Sequence, residues 1–416
     1  MSTIRRLTEK DVLAFAAIGA NAYAGMKVTS DEDIRKMADR LWKIDREDPE
    51  IALYGLFRKG KLVGGMRLFD FTMRMLSTYI PVGGVGFIAV DLAHKKEHVC
   101  RELVEFYIAH YAKKKAPMLA LYPFRPDFYR KMGFGYGTKI NEYRIKPSEL
   151  PAGGDKERVA FVTEGEHAAL NECYHRVVDK THGMFRRTKT YMGNLTRPGL
   201  YIAAFHKGKK IEGFVVFGLV PTNDQNWLVT ELRAVEFIYE NREALLALLA
   251  FLRSQADQVN VVVLRLQDDD FHYVAHDPRN DSGRFINPVG HETNTQGLGI
   301  MYRIIDTPGL FAALENHDFN GQNCRLKIRV RDSFYPKRNG CYLIYFVDGK
   351  PEVKQKGGCD VEISLNEAEY SSMVMGVVPF SKLCAYGLAE ISDAAYIEAV
   401  TKIFAAPQRP YCVTQF

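Results

Sequence analysis

Apolar positions in this chain gather into short blocks, and the spacing within each block predicts an element. Gly86-Phe87-Ile88-Ala89-Val90 is a continuous apolar run of strand length. A basic turn follows, His94-Lys95-Lys96-Glu97-His98, then an amphipathic helical pattern from about Val99 to Tyr111. Met118-Leu119-Ala120-Leu121-Tyr122 is a second apolar strand, and Phe128-Tyr129-Arg130-Lys131-Met132-Gly133-Phe134 comes after it. The order strand, helix, strand predicts an α/β unit.

Part of this pattern occurs twice. Phe57-Arg58-Lys59-Gly60-Lys61-Leu62-Val63-Gly64-Gly65 leads to Phe69, and Phe205-His206-Lys207-Gly208-Lys209-Lys210-Ile211-Glu212-Gly213 leads to Phe217. Each predicts a hairpin with a Lys-Gly turn. The second is followed by a strand at Ala234–Ile238, a helix from Asn241 to Arg253 and a strand at 259–266. This predicts a duplication. The copies differ at the strand–helix turn: the first carries Lys95-Lys96, the second Glu240-Asn241-Arg242-Glu243. An acidic turn repels an anion, so the second copy is expected to be structural. From about Gly297 the pattern changes. Strands are predicted at 326–331, 340–347 and 361–363, with helices after a capping box at Ser364–Glu367, at 380–388 and from Ser392 to Phe404. Strands followed by helices predict a separate α+β domain.

Composition narrows the class. The 416 residues allow roughly two to four domains. The chain is 47% hydrophobic and 25% charged, as an ordinary soluble globular protein is. A net charge of +6 suits an anionic cofactor but does not predict nucleic-acid binding. No apolar run reaches the roughly 18 residues of a membrane span, and the first residues lack a signal-peptide core. The seven cysteines are odd in number and lack a CxxC pair, which predicts reduced thiols in a cytoplasmic protein. His175 and His182 have neither the spacing nor the carboxylate partners of a metal site, so no metal is expected. Asp268-Asp269-Asp270 predicts a solvated loop, with the wall of an amine channel as the alternative.

The stretch from Gly84 to Gly137 resembles the GNAT N-acetyltransferases, and the run from Asp360 to Phe404 resembles the sterol-carrier-protein fold. Two GNAT units, the second degenerate, followed by a sterol-carrier-like end resemble the Eis-type (enhanced intracellular survival) acetyltransferases. The implied domains are 1–150, binding acetyl-CoA, 151–296, degenerate, and 297–416, whose C-terminus takes part in catalysis.

The resemblance also implies roles. The start of the helix at Lys96, Glu97, His98, Val99, Cys100 and Arg101 would hold the phosphates through free N–H groups and the favourable end of the helix dipole. The family turn reads Arg/Gln-x-x-Gly-x-Gly/Ala, so His98 replaces the first glycine and Cys100 the last small residue. A backbone cradle survives if the His98 side chain turns outward, and closes if its Cβ meets the phosphates. Ile88, Ala89 and Val90 would pair with the pantetheine arm, the Val90 N–H would polarise the thioester, and Phe124 and Arg125 would flank the cofactor. Tyr129 fits the general acid of the pattern Phe-Tyr-x-x-x-Gly-Phe/Tyr, and the carboxylate of Phe416 fits the base. The implied acceptors are amines, with aminoglycosides or other polyamines among them, and the implied assembly is a hexamer. Two alternatives stay open: a non-catalytic protein that binds CoA or an apolar ligand, and an acyltransferase with another acyl-CoA donor, as in the tandem N-myristoyltransferases.

Overall fold

The computed structural model describes residues 2–416; Met1 lies outside it. The chain begins with β1 (Ser2–Arg6), α1 (Glu9–Ala22), α2 (Asp31–Glu47), β2 (Ile51–Arg58), β3 (Lys61–Met75), β4 (Thr78–Val90), α3 (Val99–Lys113), β5 (Met118–Leu121), α4 (Pro126–Arg130), β6 (Gly135–Tyr136) and β7 (Ile140–Ile145). The second run is β8 (Val159–Phe161), α5 (His167–Val178), α6 (Met192–Leu195), β9 (Tyr201–Lys207), β10 (Lys210–Pro221), β11 (Thr230–Tyr239), α7 (Arg242–Arg253) and β12 (Val261–Leu266). The short strands β13 (Phe285–Ile286), β14 (Gly290–His291), β15 (Asn294–Gly297) and β16 (Met301–Ile304) follow. The last run is α8 (Thr307–Ala313), β17 (Cys324–Arg331), β18 (Gly340–Val347), β19 (Lys350–Lys354), β20 (Val361–Asn366), α9 (Glu367–Val374), α10 (Phe380–Ala385), β21 (Ala389–Ile391) and α11 (Ile397–Ile403).

Two seven-stranded sheets and one five-stranded sheet carry the architecture. Their orders are β1-β2-β3-β4-β5-β16-β6, β15-β7-β12-β11-β10-β9-β8 and β19-β18-β17-β20-β21. The first two exchange strands. β7 pairs antiparallel with β12, and β16 returns from beyond the second sheet to pair with β5 and β6. The sheets therefore do not part at residues 150 and 296: 140–145 belongs to the second sheet and 301–304 to the first. An alternating apolar strand such as Ile140–Ile145 shows that it needs a buried face, not which sheet supplies it.

The repeated hairpins turn differently. In the first, Lys59 (φ 48°) and Gly60 (φ 79°) are both left-handed, between Arg58 and Lys61. In the second, Gly208 (φ 64°) opens the turn and Lys207 pairs with Lys210, so the turn sits one residue later relative to the repeat. In the third unit two caps differ from expectation. β20 runs on through Ser364, which leaves Asn366 at the start of α9, and Asp393 rather than Ser392 caps the next turn. Ser392 continues the sheet edge, its N–H donating to Glu362 O.

Burial explains how the units hold together. On one face of the first sheet, α3 packs Leu103, Val104, Tyr107 and Ile108 into a closed core. On the other, Met73 and Ile80 join Leu326, Ile344, Tyr370 and Phe380 of the third unit in one continuous cluster. The first and third units thus share a hydrophobic core.

Candidate active site

β4 and β5 run parallel only as far as the pair Val85–Leu121, beyond which they diverge. A bulge opposite Met66, with Phe87 at φ 50°, turns β4 away at that point. The Asp91 N–H donates to Val63 O over 3.0 Å, and alternation then gives the Ala89 backbone to Gly65 of β3. Ile88 and Val90 face the opening. The Ile88 carbonyl accepts from Tyr23 Oη at 2.8 Å. Of the three strand residues expected to meet a pantetheine arm, Ala89 is committed to its neighbouring strand, and Ile88 and Val90 present their backbone to the gap.

At the start of α3, Lys96 (φ 64°) and His98 (φ 63°) are both left-handed. His98 thus adopts the conformation that favours glycine, and its side chain is exposed. It supplies no side-chain cap, so the first N–H groups of the helix lack that partner. Lys95 and Lys96 are exposed beside them. Glu97 turns back to Arg58, whose Nη1 donates to Glu97 Oε2 at 2.8 Å and whose Nη2 donates to Glu97 O at 2.8 Å. Val99 is buried beneath Gly64. Arg101 pairs with Glu105 at 2.9 Å, and burial pushes the Cys100 thiol up to about 12. The equivalent helix start in the second sheet is closed: Asn241 Oδ1 accepts from the Ala244 N–H at 3.0 Å, and Glu240 pairs with Arg176 at 2.6 Å.

Between the diverging strands lies a cavity of about 240 Å³, walled by Tyr23, Gly86, Ile88, Tyr122, Phe124, Tyr129 and Phe416, among others. α4 carries Tyr129, which is 3% exposed and meets the rings of Phe124, Phe128 and Phe134 edge-on. Its hydroxyl has no hydrogen-bond partner among the described residues. Burial, with Cys100 and Tyr23 nearby, pushes its pKa far up, so the phenol stays protonated. Phe124 is 63% exposed at the mouth, and Arg125 pairs with Asp127 at 2.6 Å.

The last residues form a pinned strap rather than a frayed end. Thr138 Oγ1 donates to Pro410 O at 2.6 Å, the Tyr411 N–H donates to His182 O at 2.8 Å, and Tyr174 Oη shares a hydrogen bond of 3.0 Å with Thr414 Oγ1. Asp269 and Asp270 lie in an exposed turn, as the solvated-loop reading expects, and Arg409 pairs with Asp269 at 2.6 Å. The Phe416 ring sits among Phe69, Phe71, Tyr122 and Phe185, with centroids 4.8 to 6.0 Å away. Its carboxyl end lies against Gly86: a Cβ there would stand 2.7 Å from the Phe416 carboxyl carbon and 3.0 Å from its oxygen. Tyr23 and Arg67 belong to this site although they lie outside the Gly84–Gly137 stretch, and Gly86 lies within it without an expected role. Arg67, a charge between the apolar stretches Leu62–Met66 and Leu68–Phe69 of β3, is the one with a visible signal.

Comparisons agree with this architecture. Residues 3–137 and 177–304 each match a model of an acetyltransferase (GNAT) domain, and residues 310–413 match a sterol carrier protein domain. The fold is similar to a GCN5-related N-acetyltransferase from Anabaena variabilis (TM-score 0.81, 16% identity). It is also similar to Eis1 from Mycobacterium abscessus (TM-score 0.77, 20% identity). A probable N-acyltransferase from Enterococcus faecalis gives a TM-score of 0.77 at 17% identity. All three cover 100% of both chains. No curated protein matches the sequence. The chain therefore has two GNAT-like domains followed by a sterol-carrier-like α+β domain.

Proposed function

We propose that this protein is an acetyl-CoA-dependent N-acetyltransferase that transfers the acetyl group directly to an amine. The observation that carries the reading is convergence. An unpartnered phenol, the splayed end of β4 and the carboxyl end of Phe416 meet around one small cavity. The residues present fit the CoA ester: the start of α3 has no side-chain cap, His98 turns outward, and Lys95 and Lys96 add positive charge.

Acetyl-CoA supplies the activated acetyl group. The α3 N-terminus would hold its phosphates, and Ile88 and Val90 its amide-rich arm. The Val90 N–H would donate to the thioester oxygen as charge develops there. An alkylammonium has a pKa near 10, so a base must free the nitrogen. The α-carboxylate of Phe416, as the last residue of this chain, would take that proton. As the C–N bond forms and the C–S bond breaks, Tyr129 would give its proton to the departing sulfur and recover one from solvent. A thiol has a pKa of about 8.5 and this phenol lies far higher, so the donation is uphill and must be timed with C–S cleavage. The free hydroxyl suits that task, because no existing hydrogen bond has to break.

The test is thiol release from acetyl-CoA with a panel of amines. Turnover that falls in Tyr129→Phe and on removal of Phe416, with CoA binding kept, is the expected result. Full activity in both variants would refute the mechanism.

A further inference from the structure

Next to the thioester cavity lies a second one of about 290 Å³, and the two share Arg67 and Phe416. It is the place open to an acceptor that must reach the Phe416 carboxylate. Its walls carry three arginines, Arg40, Arg67 and Arg197, and no Asp or Glu side chain. Asp48, bonded to the lining residue Thr190, is fully buried, and its Oδ2 accepts from the Thr190 N–H and Oγ1, each at 2.8 Å.

The three arginines lack carboxylate partners among the described residues. Arg40 Nη2 donates to Asn194 Oδ1 at 3.0 Å, and Arg197 has no ion pair. Arg67 is the telling one. It lies over the Phe69 ring, 4.8 Å from the centroid, and its buried Nε has no hydrogen-bond partner. Burial, with Arg40 close by, lowers its pKa to about 10. Leaving a buried Nε without a partner is costly, and the guanidinium fork matches a carboxylate. Phe69, Phe71 and Tyr191 give the same cavity an apolar wall.

The cavity on the other side of the strap also carries arginines. Among the described residues Arg197 is unpaired, Arg233 and Arg265 pair with Glu231 at 2.8 Å and Glu142 at 2.9 Å, and the one lining carboxylate, Glu236, is held by buried Arg187. An aminoglycoside or other polyamine would meet Arg67 and Arg197 beside Phe416, with no Asp or Glu side chain in that wall.

We propose that the acceptor is an amine that also bears a carboxylate on an apolar body, with its anion on Arg67 and Arg197 and its amino group toward Phe416. This rests on the acetyltransferase reading for the chemistry, but the anion site can be measured without turnover. N-acetylphenylalanine and N-acetyl-2-phenylethylamine differ only in a carboxylate. Each is titrated calorimetrically into the CoA-loaded protein, and into Arg67→Gln, Arg67→Lys and Arg197→Gln variants. The expected result is about 10-fold or tighter binding of the carboxylate compound, lost in both glutamine variants and partly kept in Arg67→Lys, with no binding of kanamycin. Equal binding of the pair, binding of neither, a preference unchanged in the glutamine variants, or tighter binding of kanamycin would overturn the proposal. Preferred carboxylate binding without thiol release from acetyl-CoA with any amine would leave the anion site standing and refute the acetyltransferase reading alone.

Discussion

Tyr129 is buried, protonated and unpartnered, and those three facts set what it can do. A phenol pushed far above its ordinary pKa of about 10 does not titrate in the working range. The rate should therefore rise with pH as the acceptor loses its proton, with no descending limb from Tyr129 up to about pH 10. Tyr129→Phe should lower kcat by about 10²-fold or more while CoA still binds. A wild-type limb falling near pH 9 that vanishes in this variant would contradict the raised pKa, and wild-type kcat in the variant would contradict the acid role. Gly86 tests the opposite partner. A methyl group at this position occupies the space of the Phe416 carboxyl carbon, 2.7 Å from the built Cβ. Gly86→Ala should displace the carboxylate and reduce kcat about 10-fold or more, with the fold retained. Wild-type turnover in that variant would show that the carboxylate is not in the reaction.

At the scale of elements, the two copies of the repeat differ by what stands at one helix start. α7 is closed by its own Asn241, and α3 has no side-chain cap. Asn241→Ala should cost about 1 kcal/mol of stability and leave CoA affinity unchanged, measured by urea unfolding and calorimetry. A large loss of CoA affinity would make the second copy a binding site. Much of the first site was legible, because its pattern is local: strand 86–90, the helix from Val99 and the strand from Met118 each announce themselves within a dozen residues. The structure extends the first two to β4 and α3 and ends β5 at Leu121, one residue short of the expected run. What the sequence left dark is non-local. β16 joins β5 after a detour through the whole second sheet, and no periodicity within Met301–Ile304 reveals that partner. Tyr23 reaches Ile88 across 65 residues. Ser364 has a capping-box spacing, but pairing of β20 with β17 extends the strand past it. At that position sheet pairing overrides the local cap.

In the whole molecule, one histidine joins all three units. His182 Nδ1 accepts from the Leu76 N–H at 3.1 Å, its Nε2 lies 3.1 Å from Met375 O, and its own carbonyl accepts from Tyr411 in the strap. Burial lowers its pKa from 6.5 to about 4. Below pH 6.5 the unfolded chain binds this proton and the folded protein does not. The stability it contributes is complete above pH 6.5 and is lost as the pH falls toward 4, about 3 kcal/mol in all. Urea unfolding at several pH values should show that slope, and His182→Gln should flatten it; an unchanged slope would contradict the assignment. The same architecture delivers the end of the chain to the opening in the first sheet, and that delivery is the central claim. The most direct measurement is thiol release from acetyl-CoA by the intact protein and by the protein lacking Phe416, with a responsive amine and with CoA binding measured on both. Turnover by the intact chain, its loss by about 10²-fold or more without Phe416, and unchanged CoA binding are expected. Equal turnover by the two would contradict that claim.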